Sequence, residues 1–163
     1  MRIFSFSLHP VFKFPWEIFL FLSFSAALFG VVTRSLDTSL PALAGILIFS
    51  IFFAIKRFSF IKVTDRSVIV RLGPLAYGEI DISNVIDISV VNHGIQSGIG
   101  VRVCGKGETA IVTKTGDVVR LQLKEKGTIR MCGLVKISFS ALRISPVRQN
   151  EFIDLVKSYM KPQ

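Results

Sequence analysis

His93, the carboxylates and the two cysteines are the residues of this chain able to carry chemistry, so their spacing comes first. Asp87, Ser89 and His93 are the residue types of an acyl-transfer triad and lie close in sequence. Alternation along one strand does not gather them around a reacting atom, and no G-x-S-x-G elbow presents a serine. The carboxylates of the second half, from Asp65 to Asp154, fall nearly all at turns or solvent faces and form no acid–base pair. "GVRVCGKG", Gly100 to Gly107, approaches a phosphate-binding loop. Gly107, however, stands where Ser or Thr must bind magnesium, and no helix follows to receive phosphate. Cys104 and Cys132 lack a C-x-x-C spacing and a histidine at ligand spacing, so nothing builds a zinc site. No catalytic residue, metal or cofactor is expected.

The elements that hold these residues differ sharply between the two parts of the chain. Half of the 163 residues are hydrophobic and 19% are charged, against roughly 25% charged in soluble domains. The apolar residues concentrate in "WEIFLFLSFSAALFGVVT", where Glu17 is the one charge, and in "LPALAGILIFSIFFAI", which has none. Runs of this length approach the roughly 30 Å of a bilayer's hydrocarbon core. They predict two transmembrane helices, about 16–33 and 40–56, joined by the short loop "RSLDTS" into a hairpin over 16–57. Asp37, Thr38 or Ser39 would cap the second helix, with Pro41 in its first turn. A cleaved signal peptide fits less well, because the leading "MRIFSFSLHPVFKFPW" is long and aromatic rather than short and basic.

Charge sets the expected orientation. Arg2 and Lys13 precede the first run, and Lys56, Arg57, Lys62 and Arg66 follow the second, whereas the loop holds Arg34 alone. Basic flanks stay on the cytoplasmic side. The expectation is a multi-pass protein of the plasma membrane with both termini cytoplasmic: residues 1–15 a cytoplasmic segment, 58–163 a cytoplasmic domain. Lys56, Arg57, Lys62 and Arg66 are its expected contacts with the membrane surface. Of the 20 Lys and Arg, 17 lie from Lys56 onward, with nine of the 11 acids, so this part carries about +8. Such a charge suits anionic lipid headgroups or an acidic protein partner. Nucleic acid is not expected, because the basic residues alternate through strands without an aromatic stacking platform.

Beyond Phe58 the pattern is β. "FIKVT", "SVIVRLG", "AYGEIDI", "VIDISVV" and four later runs alternate between short turns, among them Lys114-Thr115-Gly116-Asp117. About seven antiparallel strands in a barrel or sandwich are predicted. Ser145 and Pro146 read as the start of a closing helix, whose Phe152, Leu155, Val156 and Tyr159 make one apolar stripe. The glycine-rich "HGIQSGIGVRVCGKGE" reads as an accessible loop face. His93, Gly94, Gln96, Gly98 and Lys106 are its candidate partner contacts.

Two membrane spans, then "IKVTDRSVIVRLGPLAYGEIDISNVIDI", then "ALRISPVRQNEFIDLV" resemble the bacterial membrane-anchored pleckstrin-homology-like family over roughly residues 56–160. Gly73, the Ile82–Val85 stretch and Ser145-Pro146 carry the likeness. The resemblance implies a seven-stranded barrel capped by a C-terminal helix and implies no catalytic residue. Its phosphoinositide site is not carried over, because the first turn here is only Asp65-Arg66 and has no room to wrap a headgroup.

The expected function is therefore a membrane-anchored cytoplasmic binding or scaffolding module without catalysis. The alternatives are an accessory subunit of a membrane enzyme or transporter, or a peripheral module for anionic lipid. Partners would be the lipid bilayer, anionic headgroups, a membrane or cytoplasmic protein, or further copies of the chain.

Overall fold

A computed structural model of the chain describes residues 1–7, 16–33, 36–105 and 107–160. It contains two units, Pro10–Arg57 and the combination of Met1–His9 with Phe58–Gln163.

In the first unit the apolar runs fold as helices α1 (Trp16–Val32) and α2 (Leu36–Phe58). Small side chains let them approach. A Cβ added at Gly45 would lie 2.6 Å from the Ser23 hydroxyl and 3.3 Å from its Cβ, so glycine permits the close crossing. Ala27 and Ala42 are buried, Phe19 and Phe49 stack tilted with centroids 5.4 Å apart, and Lys56 Nζ donates to Glu17 Oε1 at 2.8 Å. Most of the remaining surface of the pair is apolar, including exposed Phe21, Phe24, Phe29, Leu43 and Leu47.

The lengths correct the expected two-span hairpin. Helix α1 has 17 residues, roughly 25 Å, and falls short of a hydrocarbon core. At its end the Thr33 N–H makes the last backbone bond to the Phe29 carbonyl, and the Thr33 hydroxyl donates to the same oxygen, each at 2.9 Å. Among the described residues one stretch, Leu40–Phe58 in α2, is long and apolar enough to cross a membrane. A multi-pass placement in the plasma membrane with both termini cytoplasmic is therefore not supported. Helix α2 also begins earlier than expected, so Asp37, Thr38 and Ser39 are already helical and Pro41 lies inside.

The second unit is one sheet of nine strands: β1 (Arg2–Phe4), β2 (Phe60–Val63), β3 (Ser67–Leu72), β4 (Ala76–Asp81), β5 (Val85–His93), β6 (Gly100–Val103), β7 (Glu108–Val112), β8 (Gly116–Met131) and β9 (Val135–Ile144). The order is β1-β2-β3-β4-β8-β9-β7-β6, with β5 paired to β8. Local alternation explains the hairpins: Val68, Val70 and Leu72 turn into the core while Ile69 and Arg71 do not. Strand β8 pairs with β5 along its first half and with β4 near its end, and its register against β9 shifts between Gln122 and Gly127. At Gly127 an added Cβ would lie 2.8 Å from the Phe139 ring, so the bend there needs glycine.

The expected seven-stranded antiparallel pleckstrin-homology-like barrel is corrected on two counts. The sheet has nine strands and is mixed, because β7 and β9 run parallel, Glu108 opposite Ala141 through Ile111 opposite Ile144. It also recruits the N-terminal segment: β1 pairs with β2, and beyond it Phe6 bridges Pro146. Ser7 N–H donates to the Ser145 carbonyl at 2.7 Å, and Val147 N–H to that of Ser5 at 3.0 Å.

Those contacts also displace the expected helix start. Ser145 is buried, and its hydroxyl accepts the Thr113 N–H at 3.0 Å. The closing helix α3 runs Gln149–Met160. Phe152 and Val156 are fully buried, as the apolar stripe predicts, while Leu155 and Tyr159 are half-buried.

Candidate functional site

The residues considered for catalysis stay apart. Asp87, Ser89 and His93 share one side of β5, but four residues of strand place Ser89 about 13 Å from His93. His93 is fully buried; its Nε2–H donates to the Gly98 carbonyl at 2.7 Å, and Nδ1 has no partner among the described residues. It therefore fastens the base of the loop rather than facing a partner. Gly94 and Gln96 are exposed around the short turn Ile95–Ser97, where Ile95 projects with 84% of its surface open. Gly98 stands half-buried at the end of that turn, and Lys106 lies outside the described residues.

The four basic residues expected at a membrane surface belong to different elements. Lys56 is engaged by Glu17, and Arg57 belongs with it to the last turn of α2. Lys62 sits inside β2, and Arg66 in the β2–β3 turn, a full strand length from Phe60.

Two arrangements were not visible in the sequence. In the first, Glu108 at the start of β7 is gripped from two strands. Arg120 Nε and Nη2 donate to its Oε1 at 2.9 and 2.7 Å; Arg143 Nε and Nη2 donate to its Oε2 at 3.0 and 2.5 Å. Partial burial pushes the Glu108 carboxyl up, but the hydrogen bonds and charges of the two arginines outweigh it and hold the group below its ordinary value. Arg120 and Arg143 are cross-strand partners on β8 and β9, so the carboxylate bolts β7 to β9 and, across it, to β8. These four donors are spent on it, and the cluster is structural.

The second arrangement is a row. Phe60 lies opposite Arg71, Arg71 opposite Tyr77, Tyr77 opposite Arg130, and Arg130 opposite Lys136. Five strands thus contribute one residue each to a line on the side away from the core. Arg71, Tyr77, Arg130 and Lys136 are exposed, and among the described residues none of the three cations has an ion-pair partner. Arg71, Gly73, Pro74, Tyr77, Arg130 and Gly133 line a shallow cleft of about 330 Å³. Tyr77 Oη donates to Glu79 Oε2 at 3.3 Å; desolvation first, then that carboxylate, push its hydroxyl above the ordinary value, with Arg130 and Arg71 opposing. The local signal for each cation was its place out of phase with the buried residues, but only the β4–β8 register, far apart in sequence, aligns them. No known family model matches the chain, and no curated protein and no solved structure is found similar to it.

Proposed function

We propose that this chain is a membrane-anchored binding module, with the apolar stretch Leu40–Phe58 of α2 held in the hydrocarbon layer of a membrane and the sheet unit presented to partners. One contrast supports the reading. The sheet unit buries its alternate apolar residues around Ile61, Val70, Leu121 and Leu142, whereas the helical unit turns bulky apolar residues outward along both helices. Water does not tolerate contiguous apolar surface on that scale, and hydrocarbon does. The binding role follows from what the exposed groups are. Arginines, a lysine and a tyrosine stand ready to recognise a surface, while His93 is walled in. None of this depends on the resemblance to the pleckstrin-homology-like family.

The test is fractionation of cells expressing the full chain. It should sediment with membranes, stay there through high-salt and alkaline carbonate washes, and leave only in detergent. Recovery in the soluble fraction, or release by carbonate, overturns the anchoring.

A further inference from the structure

We infer that the end of the sheet carrying the Phe60–Arg71–Tyr77–Arg130–Lys136 row docks on the headgroups of an anionic lipid bilayer, an inference that rests on the membrane anchoring proposed above.

Charge favours this end. Among the described residues the row on its outer side holds three cations and no carboxylate. The nearest acid, Glu79, stands one pair further along and takes hydrogen bonds from Tyr77 and Ser67, at 3.3 and 2.9 Å. Asp81 and the Asp65-Arg66 turn lie toward the opposite end of the strands. The outer side is therefore graded, positive at one end and mixed at the other. Near-surface arginines and lysines are attracted to an anionic leaflet within a Debye length.

Connectivity favours the same end. Phe60 follows the last residue of α2, Phe58, by two positions, at most about 7 Å of chain. The end bearing the row is thus the one at which the chain arrives from the helical unit, and Arg66 is at the other.

The hairpin tip between β8 and β9 adds apolar surface there. Leu134 is 88% exposed beside exposed Cys132 and Val135, and Cys132 adopts a left-handed φ of 48° in the turn. An apolar tip flanked by cations and a tyrosine suits the interface of a bilayer, where aromatic rings sit at headgroup depth. A soluble anion is the weaker fit, because the cleft is shallow and its polar groups are spread along a line rather than converging.

The experiment uses the full chain in bilayer nanodiscs, one set of phosphatidylcholine alone and one with phosphatidylglycerol mixed in. A water-soluble maleimide modifies the two native thiols, and peptide mass spectrometry gives each rate. Cys104, half-buried against the Ala110–Val112–Val118 cluster, is the internal reference. Relative to it, Cys132 should react about fivefold more slowly in the anionic discs, the scale that a few near-surface cations support. Molar salt, or the triple substitution Arg71→Gln, Arg130→Gln and Lys136→Gln, should restore the rate. Equal Cys132 rates in both disc types, with the chain retained in the discs, overturn the docking and leave the anchoring standing. Slowing that survives both salt and the substitutions overturns the role of the row. Failure of the chain to stay with either disc overturns the anchoring and the docking together.

Discussion

Phe4 meets Phe152 edge to face, with ring centroids 5.5 Å apart and planes at 82°. One ring comes from β1 and the other from α3, and both are buried. The pair closes the sheet unit across almost its full length of sequence. Truncating a buried Phe to Ala costs about 3–5 kcal/mol, a large part of the roughly 5–15 kcal/mol that holds a domain folded. Phe152→Ala should therefore largely unfold the sheet unit, and Phe4→Ala should weaken it strongly. Lys157→Ala, at an exposed position of the same helix, should cost less than about 0.5 kcal/mol. Urea titration of the detergent-solubilised chain, followed by circular dichroism in the β region, measures all three. Equal, small effects would show that α3 does not pack on the sheet.

The N-terminal strand should be required by the sheet unit. A fragment of residues 58–163 lacks Phe4 and Phe6 from its core and leaves β2 as an unpaired edge. A chain in which a flexible linker replaces Pro10–Arg57, keeping residues 1–9, should have the higher urea midpoint. Identical midpoints would mean that β1 contributes nothing.

Glu108→Gln should destabilise the sheet unit at neutral pH by about 1–3 kcal/mol, because two arginines then lose their counter-charge in a partly buried site. The folded carboxyl titrates below its ordinary value near 4.5, so its stabilisation is fully present above that pH. It is lost as pH falls through the depressed folded value. The gap between wild type and variant should close on acidification below about 4.5 and stay constant above it. A gap independent of pH would assign the effect to packing.

Gly45→Leu should push apart the two helices of Pro10–Arg57, since even one added carbon meets the Ser23 hydroxyl at 2.6 Å. The Glu17–Lys56 contact offers a reporter at one end of the pair. With the native cysteines changed to serine, Glu17→Cys and Lys56→Cys can be joined by a short bifunctional thiol reagent. The crosslinking yield should fall severalfold when Gly45→Leu is added. An unchanged yield would show that the helices accommodate the side chain by rotating Ser23 away.

Much of the sheet was legible because it is local. The β2–β3 hairpin follows from alternation around a two-residue turn, Gly116 takes the positive φ its turn demands, and the Phe152 stripe marks the buried side of α3. What failed to show depends on partners far away. Three residues, Arg2–Phe4, are no strand signal until Ile61–Val63 stands beside them. Ser145-Pro146 obeys the local rules for a helix start, yet Thr113 takes the serine hydroxyl and Phe6 pairs with the proline. The stretch "KEKGTIRMCG" reads as a loop, but its residues up to Met131 lie within the sixteen residues of β8, where Asn84 Nδ2 donates to the Glu125 carbonyl and Asn84 Oδ1 accepts its N–H. Both the Glu108 clamp and the outer row needed registers between strands that are distant in sequence.

The place of β1 also sets a timetable for the molecule. Residues 1–7 leave the ribosome long before their partners, which are Ile61–Val63, Ser145–Val147 and Phe152. During synthesis the segment is an orphan with two phenylalanines in search of cover, and the loop it must close spans most of the sequence. Strand β1 can pair with β2 early, but Phe4 finds its aromatic cover only once α3 has emerged with Phe152.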